Sequence, residues 1–354
     1  MLQVAQRTPR SPLARERPPL ELPDVRRIGV VRALPGLGDL LCAVPALRAL
    51  RAAAQGARIT LVGLPSARWF VERFPMFVDE LLTVEGWPGL PEVPERPGAA
   101  LRLVHAGRQR RFDVVVQLHG DGRVTNALAA SFGATWLVAP EHVHGPRPDI
   151  SAPFDDTDSE VLRLLDLVER AGAPSSGAAL ELPLHAADRA AAAASLAGAG
   201  VDRPFVVLHP GSSTSRRRWD AASFAWVGQR VRQLGFPVVL TGTSGERDIV
   251  SAVAAGTGAG AVDLAGRTPD VGTLGAVIER AALVVCNDTG VSHVAAALRI
   301  PSVIVFHTAE TSRWAPLART LHVPIVTAGA DPETQRALVA DAVDGLLRAR
   351  QEAP

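Results

Sequence analysis

From position 27 onward the chain alternates short β-branched runs with amphipathic stretches, a pattern that few folds accept. The first unit reads RIGVVR, the turn ALPGLGD, a helix over 39–53 with Leu40, Leu41, Val44, Leu47 and Leu50 on one face, and then RITLVG. Further strands are predicted at DVVVQL (113–118), which opens into the polar loop HGDGRVTN, and at TWLVAP. The stretch EGWPGLPEVPERPG reads as loop from its Pro and Gly content, and 159–170 reads as a helix with Val161, Leu164, Leu165 and Val168 on one side. The segment AGAPSSGAALELPL has linker composition. Beyond it the alternation resumes: FVVLHPG and a helix over 220–234, PVVLTG and a helix from near Glu246, AVDLAG and a helix over 272–282, LVVCNDTG and a short helix, then PSVIVF. Asp331 as N-cap with Pro332 at the first helical position predicts a last helix over 331–350. Strands that alternate with crossover helices imply an α/β chain built of parallel sheets. Five sections are expected: a disordered leader over 1–26, a Rossmann-like domain over 27–175, a linker over 176–202, a second Rossmann-like domain over 203–330, and a terminal helix and tail over 331–354. Two such halves facing each other suggest a ligand cleft.

Composition narrows the chemistry. All 37 basic residues are Arg, against 36 acidic ones, for a net charge of +1. The lack of Lys excludes Schiff-base catalysis and a Walker-type phosphate loop, both of which need that amine. A near-zero charge argues against nucleic acid as a partner, because binding a phosphate backbone needs a basic excess. Only Cys42 and Cys286 are present, each inside an apolar stretch, so neither a disulfide framework nor a thiolate metal site is indicated and a reducing, cytoplasmic compartment is expected. The N-terminal stretch carries Arg and Pro where a secretory signal needs an apolar core, and no run of about 18–20 apolar residues is present to span a membrane.

Ligands of open parallel sheets bind beyond the C-terminal ends of the strands, which directs attention to four turns. In ALPGLGD, Gly36 and Gly38 permit a tight turn, and Asp39 lands at a helix start. Locally it reads either as an N-cap or as a general base for an acceptor hydroxyl. The spacing is not the G-x-G-x-x-G of a dinucleotide site, which disfavours an NAD-dependent dehydrogenase. In HPGSSTSRRRW, the Pro-Gly turn, Ser212, Ser213 and the run Arg216, Arg217 and Arg218 form a candidate diphosphate cradle, although three adjacent arginines also suit a solvated loop. In TGTSGERD, Glu246 is placed either to bond ribose hydroxyls or simply to favour a helix start. In NDTGVSH, Asp288, Thr289 and Gly290 open a helix whose N-terminus favours an anion, with His293 one turn further on. One D-T-G between a strand and a helix is not an aspartic protease, which needs two such loops on an all-β frame.

Two further features have simple structural explanations. Glu141, His142 and His144 resemble a metal loop only loosely, and no metal is expected. Arg102, Arg108, Arg110 and Arg111, interleaved with Leu and Val, suit a solvated helix face or a peripheral contact with anionic lipid.

Together these turns resemble glycosyltransferase family 9, the heptosyltransferase family with the GT-B fold. The likeness rests on Gly38-Asp39 with Pro45-Ala46-Leu47, on Pro210-Gly211 with Arg217-Arg218-Trp219, and on Asp288-Thr289-Gly290 with Ser292-His293. It runs over about residues 27–328 in family order. The resemblance implies an inverting, metal-independent transfer from a nucleotide-diphosphate sugar, typically an ADP-heptose, to a glycan or glycolipid acceptor such as lipopolysaccharide core. It implies Asp39 as the base, Ser212, Ser213, Arg217 and Arg218 on the diphosphate, Glu246 on the ribose or base, and Asp288, Thr289, Gly290 and His293 on donor sugar and phosphate. It also implies that the first domain binds the acceptor and the second the donor. The family commonly carries Lys where this chain has Arg217, and the loop HGDGRVTN differs from the better-known lipopolysaccharide enzymes. A nucleotide-sugar epimerase, or a non-catalytic nucleotide-sugar binding protein of the same architecture, is the alternative, and product analysis separates the three.

Overall fold

The computed structural model describes residues 18–21, 24–175, 177–307 and 310–352. It divides into two compact units, one up to Ala179 and the other from Leu180. Each is built on one six-stranded sheet. The first holds β1 (Arg27–Val31), β2 (Arg58–Gly63), β3 (Glu80–Thr83), β4 (Val114–Gln117), β5 (Trp136–Pro140) and β6 (Ile150–Ala152). The second holds β7 (Phe205–His209), β8 (Val238–Leu240), β9 (Val262–Asp263), β10 (Ala281–Asn287), β11 (Ser302–Phe306) and β12 (His322–Val326). Every pairing is parallel.

The strand orders are β3-β2-β1-β4-β5-β6 and β12-β11-β10-β7-β8-β9, the same doubly wound topology twice. The order reverses between β1 and β4 in one sheet and between β7 and β10 in the other. There the crossovers diverge to opposite faces and leave a crevice at the strand ends. Central strands are buried on both faces, which is why their sequences are continuous Val, Ile and Leu runs rather than alternating ones. In the second unit Val206, Leu208, Val285 and Val305 pack with Phe224, Val231, Val253 and the C-terminal helix residues Val339 and Val343. In the first, Val31, Val62 and Val115 pack with Leu103, Phe112, Leu128 and Phe132.

Three local expectations are revised and one is met. The predicted helix over 39–53 is two helices, Leu37–Cys42 and Val44–Ala53, because Pro45 has no N–H to offer the carbonyl one turn back. The linker expected over 176–202 contains the helix Ala186–Ala197, in which Ala192 and Leu196 are fully buried and Arg189 pairs with Glu279 at 2.7 Å. Of the leader expected to be disordered, 1–17 and 22–23 lie outside the described residues. Pro19–Glu21, however, forms a single 3-10 turn, with Leu20 buried and its N–H on the Ala171 carbonyl at 3.0 Å. The C-terminal helix runs Pro332–Glu352, and the Glu333 and Thr334 N–H groups donate to Asp331 Oδ1 at 3.0 Å, as its capping sequence predicts. Among the described residues, no helix is long and apolar enough to cross a membrane.

Candidate active site

In the first unit the polypeptide leaves β1 at Arg32, a fully buried guanidinium at the crevice. Its Nε donates to the Asp39 carbonyl at 2.7 Å, and its Nη1 donates to the Leu118 carbonyl at the end of β4 and to Glu160 Oε1 at 3.0 Å. Glu160, itself buried, holds Arg163 at 2.7 Å. A buried ion pair alone stabilises little, but removing one partner strands the other charge at several kcal/mol. Arg32 therefore ties together the turn that carries Asp39, the neighbouring strand end and the helix Glu160–Arg170.

Asp39 is the third residue of its helix, whose N-cap is Gly36. A Cβ on Gly36 would lie 2.2 Å from Asp39 Oδ2, so the carboxylate folds back over the turn and a larger residue at 36 would push it aside. Gly38 is buried inside the same helix. The N-cap reading of Asp39 does not hold, since Gly36 occupies that position.

In the second unit Ser212, Arg217, Arg218 and Asp288 converge at the corresponding reversal point. The Asn287 side chain, fully buried at the end of β10, donates to the Pro210 carbonyl at 2.9 Å and accepts from the Trp219 N–H at 2.9 Å. It fastens both ends of the Pro-Gly-Ser-Arg loop. Arg218 donates twice to the Ser212 carbonyl, at 3.0 and 2.7 Å, and so braces the loop from within. Arg217 is the outward guanidinium, 3.5 Å from Asp288 and 3.4 Å from Glu310. Ser212 is buried with its hydroxyl lacking a hydrogen-bond partner, whereas Ser213 is exposed. A buried hydroxyl without a partner at a loop of this kind is a ready donor for an anion.

Glu246 fits its reading as a residue that favours a helix start. Its Oε2 accepts from the Thr243 N–H and hydroxyl at 2.8 and 2.9 Å and closes the turn, while its carboxylate also lies against Gly211, where a Cβ would meet Oε1 at 2.1 Å. Burial pushes this carboxyl up, but the Thr243 hydrogen bonds and the neighbouring His209 and Arg218 outweigh it and hold it below the usual range. Thr289 is the N-cap of the helix Gly290–Ala297 and Gly290 its first residue. His293, buried, sets its ring edge-on to Trp314 with centroids 6.4 Å apart. Burial, with the Asp288 charge, raises the Cys286 thiol well above its ordinary value, so it is inert.

Four groups were not anticipated from sequence: Arg32, Asn287, Glu92 and His119. The signal for the first two is a charged or amide residue set flush against a β-branched run. No local signal marks the other two. The remaining clusters are structural. Arg110 is taken by Glu80 at 2.9 Å, and Arg108 Nε donates to the Ser131 carbonyl at 3.0 Å. His142 bonds only to the backbone of His144, and Glu141 accepts from Ser151. Among the described residues no group of three or more His, Cys, Asp or Glu side chains is placed to hold a metal.

Comparison with known proteins agrees with this layout. The family model described as glycosyltransferase family 9 (heptosyltransferase) matches residues 149–342, more than half of the chain. A lipopolysaccharide heptosyltransferase 3 of Escherichia coli is 29% identical over 125 residues, which is 35% of this chain and 37% of that protein. The aligned part thus spans little more than a third of that relative. Among solved structures, a family 9 glycosyl transferase from Veillonella parvula superposes with TM-score 0.74 over 92% of this chain and 98% of that one, at 21% identity. The E. coli ADP-heptose lps heptosyltransferase II superposes with TM-score 0.69 over 92% and 99%, at 19% identity. Both likenesses are of fold, and they extend the GT-B architecture over both units. With the family model matching more than half of the chain and the fold matching over 92% of it, the chain belongs to glycosyltransferase family 9.

Proposed function

We propose that the protein is an inverting glycosyltransferase that moves a sugar, heptose in the simplest case, from an ADP-sugar to a hydroxyl of a cell-envelope glycan or glycolipid such as lipopolysaccharide core. The observation that carries this reading is the paired layout. A carboxylate held over a tight turn ends one crevice, and an arginine with a buried unpaired serine hydroxyl ends the other. The ADP-sugar and the acceptor type follow the relatives, a lipopolysaccharide heptosyltransferase 3 and an ADP-heptose lps heptosyltransferase II.

In this mechanism Asp39 accepts the proton of the acceptor hydroxyl as its oxygen bonds the anomeric carbon. The bond from that carbon to the diphosphate breaks, and the nucleoside diphosphate leaves with the electron pair. Arg217, Ser212 and the first N–H groups of the helix Gly290–Ala297 bind the charge that develops. Arg218 and Asn287 keep the loop in shape, Glu246 takes ribose or base hydroxyls, and His293 lies at the sugar and phosphate end. Arginine supplies the cationic charge, so the reaction is expected to need no metal and to proceed in chelator. Reaction on the cytoplasmic face, with peripheral contact to the membrane that holds a glycolipid acceptor, accompanies this reading.

Asp39→Ala is expected to lower transfer about 10²- to 10⁴-fold with donor affinity nearly unchanged, measured by product formation and by calorimetry with ADP. Full transfer by that variant removes Asp39 from its role. Arg217→Ala is expected to weaken ADP binding by about tenfold or more, the loss of one charge-assisted contact. Conversion of the donor sugar with no acceptor present would indicate an epimerase instead.

A further inference from the structure

The polar loop after β4 has no part in the mechanism above, yet it is built with care and reaches the base-bearing turn. The His119 N–H donates to Gln117 Oε1, Gln117 Nε2 donates to Asn126 Oδ1 at 2.9 Å, and Asn126 Nδ2 donates to the Pro140 carbonyl at 3.0 Å. The Thr125 hydroxyl donates to the His119 carbonyl at 2.7 Å. This chain of bonds fixes the His119 ring, 7% exposed, at the crevice between β1 and β4.

The ring state follows from its partners. The backbone N–H of Ala33, in the turn leading to Asp39, donates to His119 Nδ1 at 3.3 Å. A nitrogen that accepts carries no proton, so the imidazole is neutral with its hydrogen on Nε2. Burial, reinforced by Arg32, pushes its pKa down to about 4, in agreement. Nε2 lies 3.4 Å from Glu92 Oε1 and faces it.

Glu92 comes from the Pro-rich loop after β3, which is pinned to the core by buried Trp87 and Leu90. Its other oxygen, Oε2, is buried without a hydrogen-bond partner. Burial holds this carboxyl above its ordinary value, with the charge of Asp39 adding a little, although its own backbone N–H pulls the other way. A buried carboxylate oxygen left unpaired is costly, and a donor hydroxyl would recover that cost. Through Ala33 and His119, Glu92 is thus placed near the turn that carries Asp39, and a second carboxylate there, able only to accept, matches a ligand that presents a further hydroxyl beside the reacting one.

We propose that Glu92, oriented by His119, is an acceptor-binding residue whose Oε2 receives a second hydroxyl of the acceptor while Asp39 takes the reacting one, so that the site selects a vicinal diol. This rests on the glycosyl-transfer reading. Glu92→Gln provides a clean test: the side chain keeps its size beside His119, but its amide replaces the free acceptor with a donor. For that variant the acceptor KM is expected to rise about tenfold or more, with donor KM unchanged and thermal unfolding as in the wild type. An acceptor lacking the neighbouring hydroxyl is expected to lose as much with wild type and nothing further with Glu92→Gln. In a second measurement that needs no turnover, saturation-transfer NMR with methyl α-D-mannopyranoside is expected to give a signal with wild type that Glu92→Gln and His119→Ala abolish or weaken. An unchanged acceptor KM in an active Glu92→Gln overturns the proposal. A sugar signal that depends on Glu92 in a protein that transfers nothing overturns the transfer reading and keeps the site, while a signal indifferent to Glu92 overturns the site.

Discussion

His119 and His322 are both neutral in the folded chain, each with its pKa lowered by burial from 6.5 to about 4. The unfolded chain binds those protons near pH 6.5, the folded one only near 4. Their contribution to stability is therefore complete above about pH 6.5 and is lost as the pH falls toward 4. Thermal unfolding is expected to move to lower temperature between pH 7 and 5. His322→Gln, which retains a partner for the Ser302 hydroxyl that now meets His322 Nδ1 at 2.9 Å, is expected to flatten that dependence by up to one proton. An unchanged slope would mean that His322 is already charged in the folded state. At this scale the sequence was legible where a candidate side chain sits in a turn at a strand end, as with Asp39, Arg217 and Asp288. It was mute where a side chain acts over distance. Arg32 meets Glu160 across 128 positions, and Asn287 reaches Pro210 across 77, and no local spacing encodes either contact.

At the scale of elements, each strand not foreseen, β3, β6 and β12, is the outermost of its sheet. Such strands are covered on fewer sides, so selection does not force the continuous apolar run that betrays β1 or β10; β3 and β12 are largely half-buried. The helix Ala186–Ala197 was hidden differently. Its alanines favour a helix but give no bulky periodic stripe to recognise. The helix Ala99–Gln109 offers a test of packing against propensity. Gly107 faces the Phe132 ring, and a Cβ there would lie 2.1 Å from its Cδ1. Gly107→Ala gains about 1 kcal/mol of helix propensity but meets a nearly fully buried ring that cannot easily retreat, an overpacking cost of about 1–3 kcal/mol. The variant is expected to be less stable by up to about 2 kcal/mol in denaturant unfolding. A more stable Gly107→Ala would mean that the ring moves freely.

At the scale of the whole molecule, both units use one topology, and in each the residues singled out from sequence gather where the strand order reverses. That much was readable because the reversal point is set by chain order and strand direction, both of which the alternating pattern records. Each unit has its own sheet and its own core. A fragment beginning at Leu180 is therefore expected to fold alone, with one cooperative thermal transition and retained ADP binding. A fragment that stays unfolded in circular dichroism would show that the second unit depends on the first.

The two cysteines divide evenly, Cys42 in the first unit and Cys286 in the second, and both are buried. With no lysine in the chain, these thiols are its principal side-chain nucleophiles, silent while their surroundings stay closed. Each is then a built-in clock for its own half. A thiol reagent added to Cys42→Ser reports only the opening of the second unit, and added to Cys286→Ser only that of the first. The difference between the two labelling rates measures, without any introduced probe, which half of the enzyme yields first.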